Sequence, residues 1–176
     1  MNISEFVERS IGHWRSQRSA HHLAFRHFEA VESEIDIEPI SVNDTAVIEL
    51  CQSHHYDPSL AVSPFQMSWE GHSDWNEDEE LKGSTILVPI PDREPGNQGK
   101  LLRSQGYAET MPAVGDYYFT EDNCFVLKTS YDRAAAEEKI WFGTEHLRFR
   151  VSMIKTSLGS GIVTASFSSE VRVSAP

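Results

Sequence analysis

The sequence predicts an all-β protein, an antiparallel barrel or sandwich with helix confined to two short segments. Three observations carry that expectation. From residue 66 onward the chain reads as strand after strand, with apolar and polar residues alternating at a period of two. Turn-forming residues separate these strands: Pro91-Asp92, Pro95-Gly96-Asn97, Glu121-Asp122-Asn123 and Leu158-Gly159-Ser160-Gly161. Nothing repeats and no segment is low in complexity, so residues 1–176 are read as one domain, long enough to bury a core.

The elements follow in chain order. Residues 4–11 form a short helix, with Ser4 as N-cap and Phe6 and Ile11 on a partial apolar face. Gly12 lets the chain turn out of that helix, and Trp14 offers a large ring to plug a barrel end, with a cation stacked on it. Residues 13–27 read as a long first strand and 34–40 as its partner. Asn43-Asp44-Thr45 opens a second helix, with Val47, Ile48 and Cys51 at helical spacing, ending before Asp57-Pro58. Eight further strands are placed at 66–75, 83–89, 99–108, 115–120, 124–131, 137–142, 147–156 and 162–173. The acidic stretch 74–80 reads as a solvated hairpin loop.

Charge and cysteine usage exclude several classes. The net charge of -12 argues against nucleic acid, whose phosphates need a basic surface. Cys51 and Cys124 lack metal spacing and cannot build a disulfide framework, which points to a reducing compartment. Both read as buried small hydrophobes rather than nucleophiles. The N-terminal residues do not read as a signal peptide and no apolar run reaches membrane-spanning length, so the expectation is the cytoplasm, or the stroma of a plastid. His21 and His22 are adjacent on a strand and point to opposite faces, and His54-His55 sits at a helix end, so no metal site is expected. No nucleophile-elbow pattern is present.

Strand faces locate the candidate site. Met67, Trp69, Gly71, Ser73 and Trp75 share one face, expected inward, where Gly71 leaves room for a ligand. On the last two strands Leu147, Phe149, Val151 and Met153 oppose Arg148, Arg150 and Ser152. Val163, Ala165, Phe167 and Val171 oppose Thr164, Ser166, Ser168 and Glu170. Alternation alone puts the apolar faces in the core and the arginines in water. The functional reading inverts this: the polar faces line a cavity, and the N-terminal helix or a partner subunit covers the apolar ones. A cavity holding Arg148, Arg150, Ser152 and Glu170 would suit an amphipathic ligand with carboxylates and ring N–H groups, since arginine pairs with carboxylates in a planar, bidentate way.

The run Gly12-His13-Trp14-Arg15-Ser16-Gln17-Arg18-Ser19-Ala20-His21-His22-Leu23 resembles the opening of the S-type phycobiliprotein lyases, the CpcS/CpeS family. Further segments are similar in the same order. They are Ile48-Glu49-Leu50-Cys51, Tyr56-Asp57-Pro58, Ser68-Trp69-Glu70-Gly71 with Trp75, Gly83-Ser84-Thr85, and the stretch Arg103-Ser104-Gln105-Gly106-Tyr107-Ala108-Glu109. Glu138-Lys139-Ile140-Trp141-Phe142 and Leu147-Arg148-Phe149-Arg150-Val151-Ser152 complete the series. The segment 157–162 matches the family only loosely. The resemblance implies a calycin barrel, like lipocalins and fatty-acid-binding proteins, of about ten antiparallel strands with an N-terminal and an inserted helix. It also implies the activity: binding an open-chain bilin and attaching it, as a thioether, to a cysteine of an apo-phycobiliprotein.

By the same resemblance Arg148 and Arg150 hold the bilin propionates, and Arg18 adds positive charge. Glu138 and Glu170 hydrogen-bond the pyrrole nitrogens and deliver a proton as the thiol adds. Met67, Trp69 and Trp75 pack on the bilin plane, and Ser152 adds a small polar contact. No cofactor is permanently bound; phycocyanobilin or phycoerythrobilin is the transferred ligand. The acceptor is a phycocyanin, allophycocyanin or phycoerythrin subunit, and the lyase itself is a homodimer or pairs with a paralogous subunit. Two other functions fit the sequence: a bilin carrier or chaperone without transfer activity, such as the inactive partner of a lyase heterodimer, and a fatty-acid or porphyrin carrier. A fatty acid would need one cation and an apolar tunnel, whereas several charged residues suit a two-propionate tetrapyrrole.

Overall fold

The computed structural model describes residues 1–74, 80–105, 112–156 and 161–173. Its elements are α1 (Ile3–Ser10), β1 (Gly12–His22), β2 (His27–Pro39), α2 (Thr45–Ser53), β3 (Phe65–Ser73), β4 (Glu80–Pro91), β5 (Gln98–Arg103), β6 (Ala113–Phe119), β7 (Phe125–Ser130), β8 (Ala134–Thr144), β9 (Leu147–Thr156) and β10 (Ile162–Arg172). Among the described residues, ten antiparallel strands pair in chain order and β1 closes the ring against β10. Barrel, rather than sandwich, is therefore the architecture, and closure leaves no open sheet edge among the described strands.

The first hairpin differs from the expectation. The strand predicted over 13–27 ends at His22, the chain turns through 23–26, and β2 starts at His27 rather than at 34. Leu23-Ala24-Phe25-Arg26 contains none of the usual turn residues, and Arg26 supplies the turn by adopting a left-handed φ of 52°. The N-cap of α1 is Asn2, not Ser4. Asn2 accepts from the Glu5 N–H and Glu5 accepts from the Asn2 N–H, a capping box. That register turns Ile3, Phe6, Val7 and Ser10 inward.

Helix α1 closes one end of the barrel from within. Phe6 stacks on Phe125 at 4.4 Å and meets Phe119 and Phe142 edge-on. Trp14 is fully buried beside it and donates its indole N–H to the Ser10 carbonyl at 2.8 Å. The expected cation is double: the guanidiniums of Arg148 and Arg172 lie 4.6 and 4.2 Å from the Trp14 ring centre. Arg172 also donates to the carbonyls of Arg9 and Ile11, satisfying the end of α1. Gly12 takes φ 130°, and a Cβ there would meet the Arg172 guanidinium at 2.5 Å. Helix α2 lies outside, packing Val47, Leu50 and Cys51 on Val88, Ile90 and Leu102. Strand β4 is thus covered on both faces, which accounts for its unbroken apolar run Ile86-Leu87-Val88-Pro89-Ile90.

Candidate functional site

The last three strands turn their polar faces inward. Glu138 on β8, Arg148 and Ser152 on β9, and Ser168 and Glu170 on β10 are buried, while Phe167 is 44% and Val171 52% exposed. The expectation from alternation alone is therefore corrected. A period of two says which residues share a face but not which face is inside, and the apolar floor is already supplied by α1 with Trp14, Tyr117 and Phe125. Helix α1 sits in the barrel end, so it is not the cover for the outer apolar face.

On that floor lies a connected ion network. Arg148 Nε donates to Glu170 at 2.5 Å, and both side chains are 1% exposed. Arg150 reaches Glu170 and Glu138, each at 3.3 Å. Arg103 Nη1 donates to the other Glu138 oxygen at 2.9 Å. Arg103 comes from β5, where it pairs with Ala113 of β6, and it meets Glu138 of β8 across the two intervening strands. Burial lowers the affinity of Arg148 for its proton, an effect opposed by Glu170. Each carboxylate is bracketed by guanidiniums, the arrangement that makes buried charge tolerable. Arg148 Nη2 and Ser152 Oγ are buried and make no hydrogen bond among the described residues.

Met67 joins Arg103, Glu138, Arg148 and Arg150 around a cavity of about 40 Å³. Apolar side chains of Phe6, Phe125 and Leu127 line the same cavity. Small side chains are buried on the inner wall as well, among them Ala20, Thr129, Ala136, Ser152 and Ser168. Trp69 lies against Gly83, where a Cβ would be 2.5 Å from the indole. Arg18 lies on the inward face of β1 and pairs with Glu29 at 3.6 Å. Trp75 falls outside the described residues. The sequence reading missed Arg103 and Glu29. Arg103 shares a face with Leu101, and that alternation was the available signal; Glu29 fell in the gap left between the first two predicted strands.

The network predicts acid sensitivity. Burial raises the pKa of Glu170, but Arg148 and Arg150 outweigh it, and the net shift is below the usual 4.5. A carboxylate depressed in the folded state contributes stability above its unfolded pKa, and that contribution is lost as pH falls through the folded value. Unfolding free energy, followed by urea denaturation, should decline below about pH 4.5, and Glu170→Gln should flatten the decline. An unchanged slope in the variant would assign the acid sensitivity to other groups.

The chain is a closed ten-stranded antiparallel barrel, plugged at one end by a helix and floored by paired arginines and glutamates. The chain belongs to the CpeS-like protein family, whose sequence model matches residues 2–173. It is 64% identical over 172 residues to Chromophore lyase CpcS/CpeS 3 of Trichodesmium erythraeum, covering 98% of this chain and 99% of that one. It is 39% identical to the Phycocyanobilin lyase subunit CpcS of a Picosynechococcus species, over 98% of this chain and 86% of that one. The S-type phycobiliprotein lyase CPES from Guillardia theta superposes with a TM-score of 0.87 at 49% identity, covering 100% of this chain and 95% of that one. No helix among the described residues is long and apolar enough to cross a membrane.

Proposed function

We propose that the protein is a phycobiliprotein lyase that binds phycocyanobilin or phycoerythrobilin and passes it to a cysteine of an apo-phycobiliprotein subunit. The observation that carries this reading is the buried Arg148–Glu170–Arg150–Glu138 network, with Arg148 Nη2 and Ser152 Oγ left to face a ligand. The guanidiniums take the propionates. Glu138 and Glu170, each set between arginines, accept from the pyrrole N–H groups and stabilise a protonated, more electrophilic bilin. Met67 and Trp69 pack on its plane, with Trp75 assigned the same role. Arg18 serves the far end. The acceptor thiol then adds across the exocyclic double bond of ring A. Sulfur bonds to the exocyclic carbon and the thiol proton ends on the bilin, with the two glutamates as the relay, so nothing is oxidised and nothing leaves.

The nucleophile belongs to the acceptor. Burial raises the Cys51 thiol, with Asp57 adding to it, and burial likewise raises Cys124, with Asp122 adding. Neither is a poised thiolate. Cys51→Ser and Cys124→Ser are expected to leave the rate of thioether formation within about twofold of wild type. Loss of transfer in either variant, with bilin binding retained, would require an enzyme-bound adduct instead. The reading places the protein in a cyanobacterial cytosol or plastid stroma, acting as a homodimer or beside a paralogous subunit. Adding phycocyanobilin or phycoerythrobilin to the purified protein should shift and sharpen its absorption band, because fixed charges and walls restrict a flexible chromophore. No spectral change, together with tight palmitate binding, would replace this reading with a fatty-acid carrier.

A further inference from the structure

Glu29 lies inside the barrel, away from the floor network, and the chemistry above leaves it without a role. It is 7% exposed. Its Oε1 accepts from the Ser73 hydroxyl at 2.6 Å. Its Oε2 stands 2.8 Å from His22 Nε2 and 3.6 Å from the Arg18 guanidinium. Three adjacent strands, β1, β2 and β3, thus converge on one buried carboxylate. Burial alone would raise its pKa, but the Ser73 and His22 hydrogen bonds and the Arg18 charge reverse the shift, so it is an anion.

The register sets its distance from the floor. Ser16 pairs with Glu170, and Ala20 pairs with Glu29. The two carboxylates are therefore four residues apart along β1, about 13 Å at the usual rise per strand residue. An extended chain of four pyrrole rings spans a comparable length, so a ligand standing on the floor would reach this second station. Arg18 has a donor left for it: its Nε is buried and makes no hydrogen bond among the described residues.

We propose that Glu29 is a positioning residue of the bilin site, holding the Arg18 guanidinium against the inner wall so that its Nε–H meets the end of the tetrapyrrole remote from the Arg148–Glu170 floor. The proposal rests on the bilin-binding reading. In this arrangement Ser73 and His22 fix the carboxylate, the carboxylate fixes Arg18, and only Arg18 touches the ligand.

A double-mutant cycle read by phycocyanobilin titration tests it, with the protein's thermal midpoint as the check on folding. Glu29→Gln should weaken binding about five- to tenfold in the wild-type background and less than about twofold in the Arg18→Ala background. The bound chromophore's absorption maximum should move in Glu29→Gln toward its position in Arg18→Ala. Ser73→Ala removes only the Oε1 bond and should show the same background dependence at smaller size, which serves if Glu29→Gln does not fold. Equal loss in both backgrounds, or none in either, would overturn the proposal while leaving the bilin reading intact. Absence of any spectral change with wild-type protein would overturn both.

Discussion

Arg148→Ala is expected to abolish measurable bilin binding and to lower stability by about 3–5 kcal/mol, the cost of stranding a buried charge. Arg148 is 1% exposed, bonded to Glu170 and stacked on Trp14. Its loss leaves Glu170 facing Arg150 alone at 3.3 Å and opens space beside the Trp14 ring. It also removes the unpartnered Nη2 assigned to a propionate. Lys155→Ala is the matched control: Lys155 lies near the end of the same strand, half-exposed, and should cost under about 1 kcal/mol. Urea denaturation and bilin titration read the two effects separately. Similar, small losses in both variants would mean that the inward polar face of β9 does not hold the ligand.

Glu138→Gln is expected to separate binding from transfer. Glutamine keeps the shape and still offers one oxygen to Arg103 or Arg150, but it carries neither the charge nor the proton. Bilin affinity should fall by under about tenfold, the range for one charge-assisted contact weakened to a neutral one. The single-turnover rate of thioether formation should fall by about a hundredfold or more, the usual share of a positioned acid–base group. Equal losses in affinity and rate would make Glu138 a binding residue only. The variant also leaves Arg103 and Arg150 short of an anion, so its stability should be measured alongside.

Much of this molecule was legible in its residues. Period-two alternation bounded β9 at 147–156, and Gly12-x-Trp14 marked the plugged end with its stacked cation. The failures have physical causes. The turn at 23–26 is built from Leu, Ala, Phe and Arg, so it carries no local signal, and with it went the inward position of Glu29. Alternation alone did not give the inward polar faces of β9 and β10, which only the functional reading supplied. Arg148 and Glu170 are tolerable inside only because they sit at hydrogen-bond distance, and that pairing depends on a cross-strand register that alternation does not specify. Arg103 meets Glu138 across two intervening strands, a contact that only barrel closure creates. The residues that the resemblance to S-type lyases singles out as a bilin site, Arg148, Arg150, Glu138 and Glu170, lie together in one ion network, with Arg103 as a further member.

The central claim is that a barrel floored by paired charges hands its bilin to a thiol it does not own. Co-expression with an apo-phycobiliprotein subunit and a bilin source, followed by acid–urea denaturation, tests this most directly. The account predicts a chromophore that stays attached to the acceptor subunit after denaturation, disappears when the acceptor cysteine is replaced, and persists when Cys51 and Cys124 of this protein are both serine. A chromophore that washes off the acceptor while remaining bound to the barrel would contradict it, and would leave the protein a bilin carrier without transfer activity.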